Sequence, residues 1–360
     1  MDFIITWGPT IIIFILMLGV LILFHEFGHF FAAKKSGMKV KEFGFGYPPR
    51  IWGKKVGDTI YSINLLPLGG FVKILGEDEE SDSKNAFGNK PIKNRIFVII
   101  SGVLMNFILA FIAFMIAFWC SLPPLISSPE AYRGAIVEGS GGLYVEAIEK
   151  DSLAQNNDIE RGDLIYRIDG VANPTVIDLR KKISENQGTS IELKIKRGEE
   201  AVDKKIDIGE NPQLGVGVIQ KLEKVKYSWW KVPYYAFLET VKSIWFIAVA
   251  IIIFLKNLMI SGAVPGEVLG PVGIFGITSV AVKLGFAYVL NLLIILTINL
   301  GIINILPFPA LDGGRLVFLV VEKIRGKKVA QGVENVIHNI GFLILIILII
   351  LITWRDILRL

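Results

Sequence analysis

Cysteine and histidine are scarce in this chain of 360 residues, and their scarcity limits the chemistry open to it. Cys120 is the only cysteine, which excludes an intramolecular disulfide and a cysteine-based zinc site. The first residues, Met1–Phe3, lack the basic residues of a signal peptide, and no A-x-A-like cleavage site follows the apolar run. We therefore expect the first helix to be retained.

Charged residues are missing from several long stretches. One uncharged run, Ser243–Leu255, has only thirteen residues, so we expect it to lie at the membrane interface or to re-enter without crossing. With a hydrophobic share of 52%, the chain is typical of a polytopic membrane protein, whose partner is the lipid bilayer and not nucleic acid. Four runs, the first interrupted by a polar motif, are long enough to span a bilayer: Pro9–Ala33, Ile96–Trp119, Gly285–Leu306 and Val336–Trp354.

The polar motif in the first run is H-E-x-x-H, formed by His25, Glu26 and His29. On a helix the two histidines lie one turn apart on one face and can reach one metal ion. Glu26 lies about 100° around the helix and can hold a water molecule as a general base. Burying these groups in hydrocarbon is costly and marks function. The pattern predicts a zinc site inside the membrane, a short way beneath one surface.

The third zinc ligand must be His338 or a carboxylate, because the chain has only three histidines. Asp312 is the candidate carboxylate: Pro307 and Pro309 break the helix before it, and it sits at the membrane boundary. The alternative is that Asp312 caps a helix beginning near Gly314. Because H-E-x-x-H supplies only two ligands, we favour zinc binding by Asp312.

Two segments outside the apolar runs have strand-like patterns. Val40–Gly76 lies in a loop with twelve basic and seven acidic residues, which indicates the cytoplasmic side, and it contains short strands separated by glycine and proline. These strands would pair with an extended peptide beside the metal, or would form a solvated hairpin.

The second segment, Gly139–Ile208, looks like a bacterial-type PDZ domain on its G-D-x-I-x-x-I-D-G signature. It would either bind peptide C-termini or act only as a spacer or filter. The resemblance places its peptide-binding loop at Ser140, Gly141, Gly142 and Leu143.

Taken together, H-E-F-G-H in the first span, N-x-x-P-x-P-x-L-D-G-G in a later one and the PDZ-like segment between them resemble the site-2 proteases, a family of intramembrane zinc metalloproteases. The nearest branch is the bacterial one that includes the regulator of sigma-E protease. Supporting stretches are Gly44–Gly46, Leu66–Val72, Ser101–Asn106 and Leu269–Ile274.

This resemblance implies that His25, His29 and Asp312 bind Zn²⁺ and that Glu26 is the catalytic base. Asn304 would contact the substrate backbone, and the strand region of Gly44 and Gly46 would help to hold the substrate extended. The substrates would be transmembrane segments of membrane proteins, such as anti-sigma factors or signal-peptide remnants, cut in regulated intramembrane proteolysis.

The resulting fold prediction is a polytopic α-helical membrane protein with four transmembrane helices, a membrane-associated β-hairpin region and one inserted α+β PDZ domain. Its parts are residues 1–122, the PDZ domain 123–222 and residues 223–360. The location implied is the bacterial inner membrane, with the PDZ domain outside the cytoplasm. Enterobacterial relatives carry two PDZ domains, whereas this chain has room for one. The competing function is a catalytically inactive membrane tether that binds partners through its PDZ domain.

Overall fold

The fold is taken from a computed structural model, which describes residues 2–122, 136–138, 142–150, 152–198, 200–209, 214–221, 224–261 and 268–358. The chain divides into two compact units: Met1–Ile116 with Pro233–Leu360, and Ala117–Val232. The helices, in chain order, are α1 Asp2–Lys35, α2 Ile92–Trp119, α3 Leu153–Asn156, α4 Val176–Glu185, α5 Val232–Ser261, α6 Pro271–Leu284, α7 Phe286–Ile305, α8 Asp312–Arg325 and α9 Gln331–Ile357. The strands are β1 Val40–Val56, β2 Thr59–Ile74, β3 Ile136–Glu138, β4 Gly142–Ile148, β5 Leu164–Ile168, β6 Val171–Ala172, β7 Ser190–Arg197, β8 Glu200–Asp207, β9 Val216–Lys221 and β10 Lys224–Lys226.

Five helices in the described part of the chain are long and apolar enough to cross a membrane: α1, α2, α5, α7 and α9. Four of them contain the predicted spans. The fifth, α5, corrects the expectation of a short segment at Ser243–Leu255, because the helix continues through the charged residues on both sides and reaches 30 residues. A lone charge at each end of an apolar run does not stop a helix, since lysine and glutamate are good helix formers. Length alone therefore does not distinguish four crossings from five.

The ends of the helices in the first unit lie at two opposite faces of that unit. α1 and α7 bring His25 and Asn304 within 3.3 Å of each other near the carboxyl-terminal end of each helix. His338, in the first half of α9, accepts a hydrogen bond from the Ala310 amide on this same face. Asp356, about 27 Å further along α9, lies at the opposite face and accepts a hydrogen bond from the Gly270 amide just before α6. α6 therefore begins at the face opposite to His25.

α2 runs the other way, from the face of His25 towards the face of Asp356. Near its start Arg95 forms a two-pronged ion pair with Glu322 of α8, at 2.8 and 2.5 Å. Both side chains are nearly buried, at 7% and 12% exposure. This pair fixes the start of α2 against the short helix that begins with Asp312.

The β region is a single long hairpin, which corrects the expectation of several short strands. β1 and β2 have 17 and 16 residues and join at a tight turn between Val56 and Thr59. β2 bends, so that one part of it pairs with each side of β1: Phe43 lies opposite both Tyr61 and Val72. Strong register shifts accompany the bend, as glycine-rich bulged strands allow.

The inserted unit is built on an antiparallel sheet in the order β8-β7-β5-β4-β9, with β6 beside β5. Ile165, Leu193 and Ile195 lie fully buried in its core, and a capping box between Thr175 and Asp178 begins α4. Hydrogen bonds from the backbone and side chain of Thr175 hold the pKa of Asp178 below its usual value.

The strand order places the described part of the predicted peptide-binding loop within the sheet. Gly142 and Leu143 lie on β4, which is paired with β5 on one side and β9 on the other. A strand flanked on both sides has no backbone groups free for a peptide. Ser140 and Gly141 lie outside the described residues. β9 and β8 are the outer strands of this sheet along its main path.

The Arg95–Glu322 pair gives a stability prediction. Glu322→Gln leaves the guanidinium of Arg95 without its anion in a nearly buried position, which costs about 3–5 kcal/mol when a buried pair is broken. We expect a marked drop in the thermal unfolding temperature of the full chain in detergent. The exposed Lys323→Ala on the same helix is the control and should change the unfolding free energy by about 0.5 kcal/mol or less. Equal unfolding temperatures for the two variants would contradict the prediction.

Candidate metal and catalytic site

The two histidines of H-E-x-x-H project from one face of α1 and converge. His25 and His29 are one helical turn apart, with ring centroids 4.8 Å apart and planes nearly perpendicular. Their Nε2 atoms lie 3.2 Å from each other. His25 is buried and His29 is partly buried, so the pair faces the interior of the helical unit.

Asp312 completes a three-residue cluster. α8 begins at Asp312 itself, with Leu311 at the N-cap position, and the carboxylate makes no capping hydrogen bond at that cap. Its Oδ2 atom instead lies 3.2 Å from Nε2 of His25 and 3.3 Å from Nε2 of His29. The three side chains form the one group of potential metal ligands found among the described residues. The helix-capping alternative is therefore not the arrangement in the structure.

The dimensions of this triangle fit a zinc ion. Tetrahedral ligand atoms that each lie about 2.0–2.1 Å from zinc are about 3.3–3.4 Å from one another. The three measured separations are 3.2, 3.2 and 3.3 Å. Two imidazoles with one carboxylate also make a donor set that zinc commonly takes, leaving a fourth position for water.

The outer nitrogen of each imidazole is held by α2. Nδ1 of His29 lies 2.9 Å from the carbonyl of Val98, which requires a proton on Nδ1 and leaves the Nε2 lone pair for a metal. Nδ1 of His25 lies 3.1 Å from the Asn106 side-chain amide. The Oδ1 atom of Asn106 has no hydrogen-bond partner among the described residues. Exchanging the O and N of this amide lets Oδ1 accept a hydrogen bond from Nδ1–H of His25, which leaves Nε2 of His25 for a metal.

Asn106 is a residue whose role the sequence reasoning missed. It is fully buried in the middle of an apolar helix, and its backbone carbonyl accepts a hydrogen bond from Thr297 of α7. The sequence signal that could have identified Asn106 is its amide within a predicted membrane span, because polar side chains there are usually functional or paired.

Two glycines allow α2 to approach the histidines this closely. A Cβ at Gly102 would lie 2.3 Å from Nε2 of His29 and 2.9 Å from a carbon of His25. A Cβ at Gly28, inside the H-E-F-G-H motif, would lie 2.2 Å from the carbonyl oxygen of Ser101. Neither position can accept a side chain unless the helices separate, so both glycines set the distance between α1 and α2.

Glu26 points towards the β hairpin and not into the metal triangle. Its side chain passes Gly70 of β2, where an added Cβ would lie 3.3 Å from Cγ of Glu26. The backbone of Val72 lies near its carboxylate, which is also close enough to His25 and His29 to interact electrostatically with both. The general-base candidate therefore lies between the imidazoles and β2.

The structure brings Asn304 to the cluster, with its amide nitrogen 3.3 Å from Nε2 of His25. Gly44 and Gly46, the residues predicted to help hold the substrate, both lie on β1. Gly44 lies on the part of β1 that is flanked by β2 on both sides, opposite Ser62 and Phe71, so its backbone is not free to bind a peptide. The outer strand beside Glu26 is instead the Gly70–Val72 part of β2. A glycine-rich sequence with short predicted strands does not show which strand lies in the centre of the sheet.

Comparisons with known proteins agree with this geometry. The model of peptidase family M50 matches residues 13–348. A protein of Clostridium acetobutylicum named "Putative zinc metalloprotease" is 34% identical over 362 residues, covering 97% of each chain. The regulator of sigma-W protease RasP of Bacillus subtilis is 27% identical over 435 residues, covering 98% of this chain and 99% of its own. The zinc metalloprotease RasP of Oceanobacillus iheyensis is 28% identical over 445 residues, covering 98% and 99%. This chain therefore belongs to peptidase family M50, the site-2 proteases, as its sequence motifs predict.

Proposed function

We propose that the protein is an intramembrane zinc metalloprotease that hydrolyses peptide bonds within transmembrane segments of other membrane proteins. The observation that carries this proposal is the triangle of His25, His29 and Asp312, whose three ligand atoms are 3.2–3.3 Å apart. The family match and the names of the relatives as zinc metalloproteases support the same conclusion.

His25, His29 and Asp312 would hold the zinc ion. When bound, zinc lowers the pKa of a water molecule towards neutrality and polarises the scissile carbonyl. Glu26 accepts a proton from the attacking water and then delivers it to the leaving amine. Asn304, beside His25, is placed to donate a hydrogen bond to the substrate backbone near the scissile bond.

A transmembrane substrate must unwind before it can be cut, because a helix hides its carbonyls in its own hydrogen bonds. The outer edge of β2 at Gly70–Val72 lies beside Glu26 and would hold an unwound peptide by strand addition. Substrates with helix-weakening residues near the cut are therefore favoured.

The inactive-tether alternative is less well supported. Such a tether has no need for two imidazoles and a carboxylate at ligand spacing in an apolar bundle, where unpaired polar groups are costly. All four residues proposed for metal binding and catalysis are present and close together.

The name of one relative supports a choice of substrate class. One of them is named a regulator of sigma-W protease, so membrane-anchored anti-sigma factors are the first substrates to test here. Signal-peptide remnants share the same chemistry, a short apolar helix in the bilayer, and are the second class.

For the topology, we propose four crossings of a bacterial cell membrane, with α5 lying along or dipping into the outer surface. α2 leaves the face of His25, and α6 begins at the opposite face near Asp356. α2 therefore ends at the face of Asp356, and α6 begins at that same face. A single crossing by α5 would bring the chain to the face of His25 instead. Exposed Trp229, Trp230 and Tyr234 at the start of α5 fit an aromatic anchor at the interface.

The inserted unit, residues 123–222, would then lie outside the cytoplasm as a PDZ domain. Its outer strand β9 contacts α4 and has one unpaired edge along the described sheet. An extended peptide C-terminus could add to that edge. Such a unit would select substrates that another protease has already trimmed.

The metal site gives the first functional prediction. His25→Ala, His29→Ala and Asp312→Ala should each lose zinc, whereas Glu26→Gln should keep zinc and lose about 10²–10⁴-fold in cleavage rate, the usual contribution of a general base. Metal analysis of purified protein and cleavage of a model transmembrane substrate measure both effects. Normal zinc content and activity in Asp312→Ala would show that this carboxylate is not a ligand.

The topology is tested by cysteine labelling in whole cells, in a Cys120→Ser background that contains no other cysteine. If α5 does not cross, Lys256→Cys near its end should react with a membrane-impermeant maleimide from outside. Ser228→Cys before α5 is the matched outside control, and Lys328→Cys between α8 and α9 should react only after permeabilisation. Labelling of Lys256→Cys only after permeabilisation would show that α5 crosses.

The role of the inserted unit is tested by replacing residues 123–222 with a flexible linker. The shortened protein should still cut a transmembrane substrate whose outer domain has been removed, because the metal and base residues lie in the other unit. It should also cut the untrimmed substrate, which the full chain should leave intact. A correctly inserted, zinc-loaded deletion protein without any cleavage would instead assign the unit to the catalytic machinery.

A further inference from the structure

His338 lies on α9, outside the metal triangle, and contacts the loop that carries Asp312. Its Nδ1 atom accepts a hydrogen bond of 2.9 Å from the backbone N–H of Ala310, two residues before Asp312. The side chain is largely buried, at 16% exposure, and its ring packs 5.5 Å from that of Phe318 on α8. It therefore touches both ends of the segment that presents the carboxylate.

The loop that His338 contacts needs external support. Ala310 has φ of +75°, in the left-handed region that a residue with a Cβ seldom adopts. A backbone in this region persists only where its surroundings hold it. The hydrogen bond from the Ala310 amide to His338 is such a support, because it fixes the orientation of the strained peptide group.

A second contact, one turn along α9, holds the same loop. Gly341 lies so close that a Cβ would be 2.4 Å from Cβ and 2.6 Å from the carbonyl oxygen of Pro309. The glycine lets α9 approach Pro309, and this approach brings His338 within hydrogen-bonding distance of Ala310. His338 and Gly341, on one face of α9, therefore contact two consecutive residues of the loop, Ala310 and Pro309.

We propose that His338 is a positioning residue for zinc binding: by accepting the Ala310 hydrogen bond it sets the loop so that Asp312 meets His25 and His29. This inference rests on the proposed function, because it takes Asp312 to be a zinc ligand. It assigns the third histidine of the chain a role in orienting a ligand, without contact with the metal. Residues that orient metal ligands in this way typically contribute about 10–100-fold to metal affinity.

The test compares two substitutions at position 338 in the full chain in detergent. His338→Leu keeps a bulky side chain at this position but cannot accept a hydrogen bond, whereas the Oδ1 atom of His338→Asn takes nearly the place of Nδ1 and can accept one. Zinc affinity is measured by competition with a chromophoric chelator, and thermal unfolding of the metal-free proteins checks the fold. We expect about 10–100-fold weaker zinc binding for His338→Leu and affinity close to that of the parent for His338→Asn.

The controls separate this inference from the proposed function. Asn339→Ala, an exposed neighbour on α9, should bind zinc as the parent does. Equal weakening by His338→Leu and His338→Asn would show that the ring only fills space and would overturn the inference. Parent-like affinity in His338→Leu, with zinc lost in Asp312→Ala, would also overturn it and leave the proposed function intact. Zinc retained by Asp312→Ala would show that this carboxylate is not a ligand, which removes the premise of the inference and overturns it.

Discussion

Three ligand atoms from distant parts of the chain must meet within 3.3 Å inside an apolar bundle, and most of the structure near them serves this constraint. The choice of side-chain rotamers alone cannot place these atoms. In a low dielectric, an imidazole or carboxylate forms strong hydrogen bonds and would turn towards any other partner within reach. The structure satisfies their outer atoms first. Val98 and Asn106 of α2 engage the two histidines from behind, so the remaining lone pairs face one point.

Close helix packing makes this arrangement possible. Gly28 and Gly102 let the backbone of α2 reach the imidazoles, while the Arg95–Glu322 pair fastens the start of α2 to the helix that begins with Asp312. Arg315, one turn after Asp312, pairs with Glu77 and Asp78 in the segment that follows β2. The hairpin, α2 and α8 are thus tied together around His25, His29 and Asp312, so a displacement of any one would change the separations within the triangle.

The sequence predicted the features that depend on local chemistry and failed on those that depend on strand order or helix faces. H-E-x-x-H spacing and the shortage of histidines were enough to select His25, His29 and Asp312, and the family match confirms the protein class. Gly142 was expected in a peptide-binding loop and Gly44 in a strand that holds the substrate, yet both lie on strands paired on two sides, since which strand is central is decided by tertiary pairing. Asn106 was overlooked because one residue in an apolar run does not reveal which neighbour its face of the helix meets.

The candidate site combines a triangle of potential metal ligands with a β-strand that lies beside Glu26. The ligand triangle is fixed on several sides, as a metal site requires, whereas the Gly70–Val72 edge of β2 lies beside Glu26 with β1 on its other side. A peptide added to this edge would gain backbone hydrogen bonds that offset those lost on unwinding its helix. Under the proposed function, strand addition at Gly70–Val72 would favour unfolding of a transmembrane segment beside Glu26 and the three candidate zinc ligands.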